Sequence, residues 1–284
     1  MLNTFVITDT DSNLPIDLAN RLNIRQVPIT IQFGDESFAD NIEIQNPELF
    51  DRIDRTAKLP TTAAPSPAAF STAFQAAFDA GADSIICVNV GSKISRTYES
   101  AVLAAEEFPG RKISVIDSEF VTMGQGFMAV AAAEALASGA THEEAVEIIQ
   151  GHKGRLHLYG ALSTLKYLAL GGRVSNLAAG MATMLNIRPI LTMVDGKLDV
   201  LEKVRTHKAS LERLVELVVR SVEGKEIERA SLIHVINLED VKYLEGELRK
   251  RLQMPEEILV TDFGPGLSVH TGKGFVGAVL LTKE

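Results

Sequence analysis

Cysteine is nearly absent from this chain. One residue among 284, Cys87, carries a thiol, so no internal disulfide framework can be built. Cys87 stands in the apolar run SIICVNV, where a buried, reduced thiol is expected. Positive charge is also scarce: 28 Lys and Arg against 37 Asp and Glu leave a formal net charge of −9. Nonspecific affinity for nucleic acid comes from clustered basic residues, and no basic run occurs, so no nucleic-acid partner is expected. No apolar stretch approaches the roughly 18–20 residues that a membrane span needs. The opening Met1-Leu2-Asn3 reaches Asp9 at once and lacks the basic and apolar regions of a secretion signal. A cytoplasmic location without stable membrane insertion is the expectation. The six histidines are scattered without acidic or cysteine companions at ligand spacing, so no metal site is expected. His152 and His157 fall in a stretch that reads as loop.

What remains is an ordinary globular composition, 46% hydrophobic and 23% charged. The length suits two domains. Phe5–Thr8 reads as a short buried strand, and Val27, Ile29, Ile31 and Phe33 alternate as one half-buried strand should. Ser66-Pro67 supplies a capping hydroxyl and a first-turn proline to a helix carrying Phe70, Phe74 and Phe78 on one face, with Gly81 closing it. Those three phenylalanines and the alanine-rich helices read chiefly as core. Ser84–Val90, a helix over 97–108, the strand Ile113–Asp117 and an Ala-rich helix to Leu136 follow, and Thr141 with Glu144 forms a capping box. Strands alternating with helices predict a doubly wound parallel sheet. Beyond about residue 155 the pattern changes. A helical stretch over 162–170 ends at Gly171-Gly172, and Asn176 starts another through Leu185. Asp195-Gly196 makes a two-residue hairpin turn between Ile190–Val194 and Lys197–Leu201. A long amphipathic helix carries Leu211, Leu214, Val215, Val218 and Val222. The fold class is therefore α/β with two domains: a parallel-sheet domain over 1–157 and an α+β domain with a mainly antiparallel sheet over 158–284.

Two hydroxyl-rich stretches, LPTTAAPSP (59–67) and VGSKISRTYESA (90–101), precede helix-forming segments. Backbone N–H groups and small hydroxyls concentrated at helix starts suit an anionic oxygen group. Ser66 is explained by capping, and Ser95 can be, but capping leaves Thr61, Thr62 and Ser92 unexplained. HTGKG (270–274) fails as a phosphate loop, because five residues separate Gly266 from Gly272 and Gly274 follows Lys273. His270 reads as lying near the end of a strand between Gly-containing turns. Arg173, just past Gly171-Gly172, serves equally as a helix-end cation or as the partner of an anion. The opening TDTDSNLP allows another reading, an Asp-nucleophile phosphatase or hydrolase using Asp9 and Asp11, although paired metal-binding aspartates after a later strand are missing.

Taken together, seven segments in order resemble the DegV family of fatty-acid-binding proteins. TDTDSNLP is similar to the family's TDS-x-x-DLP, LPTTAAPSP to its TSQPSP segment, and VGSKISRTYESA to SS-x-LSGTY-x-SA. VIDSEFVTMGQG, LKYLALGGRVS, MLNIRPIL and FGPGLSVHTGKG resemble four further family segments, the last one ending in HTGPG. The resemblance implies a protein that encloses one long-chain fatty acid between its domains and presents the carboxylate to an ATP-dependent fatty acid kinase, itself having no catalytic residue and no cofactor. It also implies carboxylate partners at Thr62, Ser92 or Ser95, and His270. Arg173 falls at the GGR position near the head group, and Thr61, Gly171, Gly172 and Thr271 belong to the same segments. Three departures stand out: Ala63-Ala64 for Ser-Gln, Arg96 for Gly, and Lys273 for Pro. The last two are expected to add positive charge beside the head group.

Overall fold

The structure, a computed structural model, describes residues 3–171 and 187–283. The chain begins β1 (Thr4–Asp9), α1 (Ile16–Arg21), β2 (Ile24–Val27), β3 (Thr30–Phe33), β4 (Glu36–Ala39), α2 (Asn46–Thr56), β5 (Thr61–Ala63) and α3 (Pro67–Asp79). It continues through β6 (Ser84–Asn89), α4 (Thr97–Glu106), β7 (Lys112–Asp117), α5 (Met123–Ala137), α6 (His142–Gly151), β8 (Leu156–Ala161) and α7 (Lys166–Gly171). The remainder is β9 (Arg188–Val194), β10 (Lys197–Val204), α8 (His207–Ser221), β11 (Ile227–His234), α9 (Leu238–Arg251), β12 (Leu259–Asp262), α10 (Pro265–Thr271) and β13 (Val276–Thr282). Two compact units result: Met1–Thr30 with Thr62–Gly154, and Ile31–Thr61 with Arg155–Glu284. The expected division after residue 157 does not separate segment 31–61, which groups with the second unit. The run from Val27 to Phe33 shows why. It forms two strands rather than one, with β2 in the sheet of β1 and β3 in a short sheet of order β4-β3-β5. Pro28 between them has no N–H for a ladder, and the N–H of Ile29 donates to Thr10 Oγ1 at 3.0 Å.

In the first unit, β2-β1-β6-β7 form a wholly parallel sheet. Because side chains alternate along a strand, Phe5 and Ile7 of β1 share one face. There they pack with Ile85 and Cys87 of β6, with Phe70, Phe74 and Phe78 of α3, and with Ala101 and Ala104 of α4. Thr8 faces the other way and accepts a hydrogen bond from Gln125 Nε2 of α5 at 2.9 Å, so helices cover both faces. The three phenylalanines are core, as their spacing predicts. Ser66 caps α3 by accepting from the Ala69 N–H at 3.2 Å, and the capping box of Thr141 and Glu144 opens α6. Burial and the nearby Asp9 charge raise the Cys87 thiol, which keeps it protonated and inert. His152 opens the turn that follows α6, within the connecting stretch as expected, whereas His157 lies in β8 and not in a loop.

The second unit holds a sheet of order β10-β9-β8-β13-β11-β12, antiparallel except where β11 meets β12. The β9–β10 hairpin turns at Asp195 and Gly196 with φ of 48° and 73°, the two positive values that such a turn requires. Leu211, Leu214, Val215 and Val218 of α8 and Leu244 and Leu248 of α9 pack on Leu232, Ala278 and Leu280. The helix expected from Asn176 to Leu185 lies outside the described residues. Among the described residues, no helix is long and apolar enough to cross a membrane.

Candidate functional site

In the parallel sheet, β1 leads to β2 on one side while β6 neighbours β7 on the other. The carboxyl ends of β1 and β6 therefore form the switch point at which open α/β sheets place ligands. Asp9 sits there, fully buried. Its Oδ2 accepts from Asn89 Nδ2 at 3.1 Å and from the Val90 N–H at 3.0 Å, and its Oδ1 accepts from the Asp11 N–H at 3.1 Å. Burial raises the Asp9 carboxyl above its ordinary range, while donors from Val90, Gln125, Asn89 and Asp11 oppose that rise. Both oxygens are engaged in tying β1 to β6 and to the following turn. That geometry gives Asp9 a structural role and offers no support to its reading as a nucleophile. Among the described residues, no three His, Cys, Asp or Glu side chains cluster as metal ligands.

One turn beyond β6 come Ser92 and Ser95. Asp117, the last residue of β7, holds Ser92 twice: its Oδ1 accepts from the Ser92 N–H at 3.1 Å and its Oδ2 from the Ser92 hydroxyl at 2.5 Å. The Ser92 hydroxyl proton is thus committed to a neighbouring carboxylate, which orients its lone pairs outward from Asp117. Ser95 Oγ lies 2.8 Å from Thr97 Oγ1 and accepts from the Thr97 N–H at 3.3 Å, fastening the start of α4. Thr61 and Thr62 lie on β5 rather than at a helix start, and α3 begins only after Ser66. Arg96 is exposed at the start of α4 and makes no ion pair among the described residues. The structure thus gathers Ser92, Ser95 and Asp117 at one edge of the first unit. A cavity of about 220 Å³ in this unit lies elsewhere, lined by the first residues of β1 and by Leu136, Ala137 and Ala140.

His270 and Thr271 belong to the second unit. His270 lies in the last turn of α10 and not at a strand end, because Pro265 and Gly266 start a helix that Gly272 terminates. Gly272 has φ 80° and ψ 171°, a conformation that essentially only glycine adopts. A Cβ there would strike the ring of Tyr167. Tyr167 of α7 stands edge-to-face with Phe50 of α2, ring centroids 6.4 Å apart. Thr271 is buried, and its hydroxyl has no hydrogen-bond partner among the described residues. Lys273 does not add a free charge: its Nζ pairs with Asp54 Oδ2 at 2.6 Å and lies 5.4 Å above the Phe50 ring. Gly171 ends α7, and Gly172 and Arg173 lie outside the described residues.

A sequence profile of the DegV family, described as uncharacterised proteins, matches residues 3–283. The chain belongs to the DegV family. A DegV domain-containing protein of Streptomyces coelicolor is 30% identical over 278 residues, which is 98% of both chains. Among solved structures, a fatty-acid-binding DegV protein of Thermus thermophilus superposes with a TM-score of 0.92 at 30% identity, over 99% of this chain and 100% of that one. DegV of Bacillus subtilis, also a fatty-acid-binding protein, gives 0.88 at 26% identity, with both chains covered in full.

Several residues of this DegV chain that shape the candidate site carried no functional expectation. Asp117 lies within the quoted VIDS segment, so the signal was in view, but its hold on Ser92 spans 25 residues. Asp40, Asn46 and Ser268 are buried polar residues of the second unit, and nothing in their local sequence marks them. Their contacts run between residues more than 200 positions apart.

Proposed function

We propose that this DegV chain binds a long-chain fatty acid. In this reading Thr62, Ser92, Ser95, His270 and Thr271 supply the polar partners of its carboxylate. Arg173 is the proposed cationic partner. The single observation that carries the reading is the full-length similarity to the Thermus thermophilus fatty-acid-binding protein. Elementary energetics supports it. Each buried CH₂ contributes about 0.8 kcal/mol, so an acyl chain of about sixteen carbons offers roughly 12 kcal/mol before ordering costs. A carboxylate withdrawn from water without donors is strongly unfavourable, so hydroxyl and imidazole groups are the complement that such a tail requires. The finer part of the proposal is that the chain presents the carboxylate to a separate ATP-dependent fatty acid kinase, which forms the acyl phosphate, and takes no catalytic part itself.

Native mass spectrometry of gently purified protein, followed by titration of delipidated protein with palmitate, tests the reading. One bound fatty acid per chain is expected. His270→Ala should weaken palmitate binding about 10- to 100-fold, the loss of one hydrogen bond to a charged group. Protein that carries no lipid and takes up none on titration refutes the proposal.

A further inference from the structure

Helix α10 carries His270 and Thr271, yet it is only seven residues long and its N-cap, Gly264, has no side chain to offer. Two turns of helix are marginal on their own in water, and most of their order must come from outside. Within the second unit α10 packs against α7, and its entry and middle are held by polar side chains from the segment just before and at the start of α2. Asp40 Oδ1 accepts from the Gly266 N–H at 2.9 Å, supplying the missing cap. Asn46, the first residue of α2 and almost wholly buried, holds α10 with both ends of its amide. Its Nδ2 donates to the carbonyl of Phe263 at 2.8 Å, two residues before α10 begins, and its Oδ1 accepts from the hydroxyl of Ser268 at 2.5 Å, inside the helix. A side-chain amide that donates to the entry of a short helix and accepts from its middle leaves that helix little freedom to rotate or slide.

We infer that Asn46 is a positioning residue for the carboxylate site: by locking α10 through Phe263 and Ser268 it sets the orientation of His270, without touching the ligand. This inference rests on the proposed role of His270. Removing this buried amide takes a donor from the Phe263 carbonyl and leaves the Ser268 hydroxyl only its longer contact to the Pro265 carbonyl at 3.4 Å, and the short α10 is the element expected to shift in response.

The test compares Asn46→Ala and Ser268→Ala with Ser210→Ala, a buried hydroxyl within α8 whose loss is only structural. Histidine ring resonances of the ligand-free protein are recorded against pH, and palmitate affinity is measured on the same samples. His270→Gln is used solely to assign the His270 signal. The expected result is a shifted His270 signal and titration in both α10-linked variants, unchanged His142 and His152 signals, and about tenfold weaker palmitate binding. Ser210→Ala should show neither change. If Asn46→Ala fails to fold, Ser268→Ala removes the same contact from the helix side. An unaltered His270 signal, or an altered signal with unaltered affinity, overturns the inference. If the wild-type protein itself takes up no palmitate, the proposed function falls, and the His270 signal alone decides whether Asn46 orients α10.

Discussion

Gly272→Ala probes the hinge between α10 and the last strand, and the structure sets its cost. The backbone there, φ 80° and ψ 171°, is close to glycine-only. Holding a residue with a Cβ in such a region costs about 1–3 kcal/mol. The new methyl also meets the Cγ, Cδ2 and Cε2 side of the Tyr167 ring, not the tip of a flexible chain. Tyr167 cannot swing away cheaply, since Phe50 stands edge-on to it and is itself fully buried. Overpacking of this kind costs about 1–3 kcal/mol. The total expected is therefore about 4 kcal/mol, read as a drop in urea midpoint at constant slope. A double-mutant cycle with Tyr167→Ala separates the two parts. Removing the ring should recover about 1–3 kcal/mol of the glycine variant's loss, while the backbone part persists. A single-variant loss below about 1 kcal/mol, or two losses that simply add, would refute the reasoning.

Phe74→Ala empties the centre of the first core, where the ring packs between Phe70 and Phe108, and should cost about 3–5 kcal/mol by chemical denaturation. Ser92→Ala leaves Asp117 Oδ2 without its hydroxyl donor and should cost about 1–3 kcal/mol while weakening palmitate binding; unchanged stability would contradict the clamp. His157 supplies a pH signature. Burial, and then the Lys225 charge, lower its imidazole from 6.5 to about 4. Between those values the unfolded chain binds the extra proton and the folded one does not, so stability falls as pH drops from about 6.5 towards 4. The half-exposed ring makes this a shallow slope. Urea midpoints measured across that range should show a smaller acid loss in His157→Gln than in the wild type, and equal slopes would rule the effect out.

Much of this architecture was legible because its causes are local. Ser66-Pro67, Thr141 with Glu144, and Asp195-Gly196 each determine a cap or a turn within four residues, and all three stand where their chemistry puts them. The alternating helices and strands likewise indicated the parallel sheet, and the hairpin indicated the antiparallel one. The failures have a different physical origin. Val27 to Phe33 keeps a period of two across Pro28, yet the lost N–H and the pull of Thr10 on Ile29 divide it between sheets. The glycines that flank His270 suggest the edge of a strand. Its helix is short and is stabilised from outside by Asp40 and Asn46, over 220 residues earlier, so nothing within the segment HTGKG announces it.

The charge of Lys273 follows the same logic. Read beside His270 alone, a lysine in place of proline adds a cation to an anion site. Folded, it is neutralised by Asp54 and laid over Phe50, both from α2. The pair is half-exposed and contributes little stability, but it joins the loop after α10 to the same helix that Asn46 opens. Asp40, Asn46, Phe50 and Asp54 thus bring a cap, an amide, a ring and a carboxylate from one short stretch to α10 and the two turns that bound it. Composition and motif spacing report which groups a site contains. The hold on those groups lies in contacts between distant segments, and here those contacts converge on the helix that carries the imidazole.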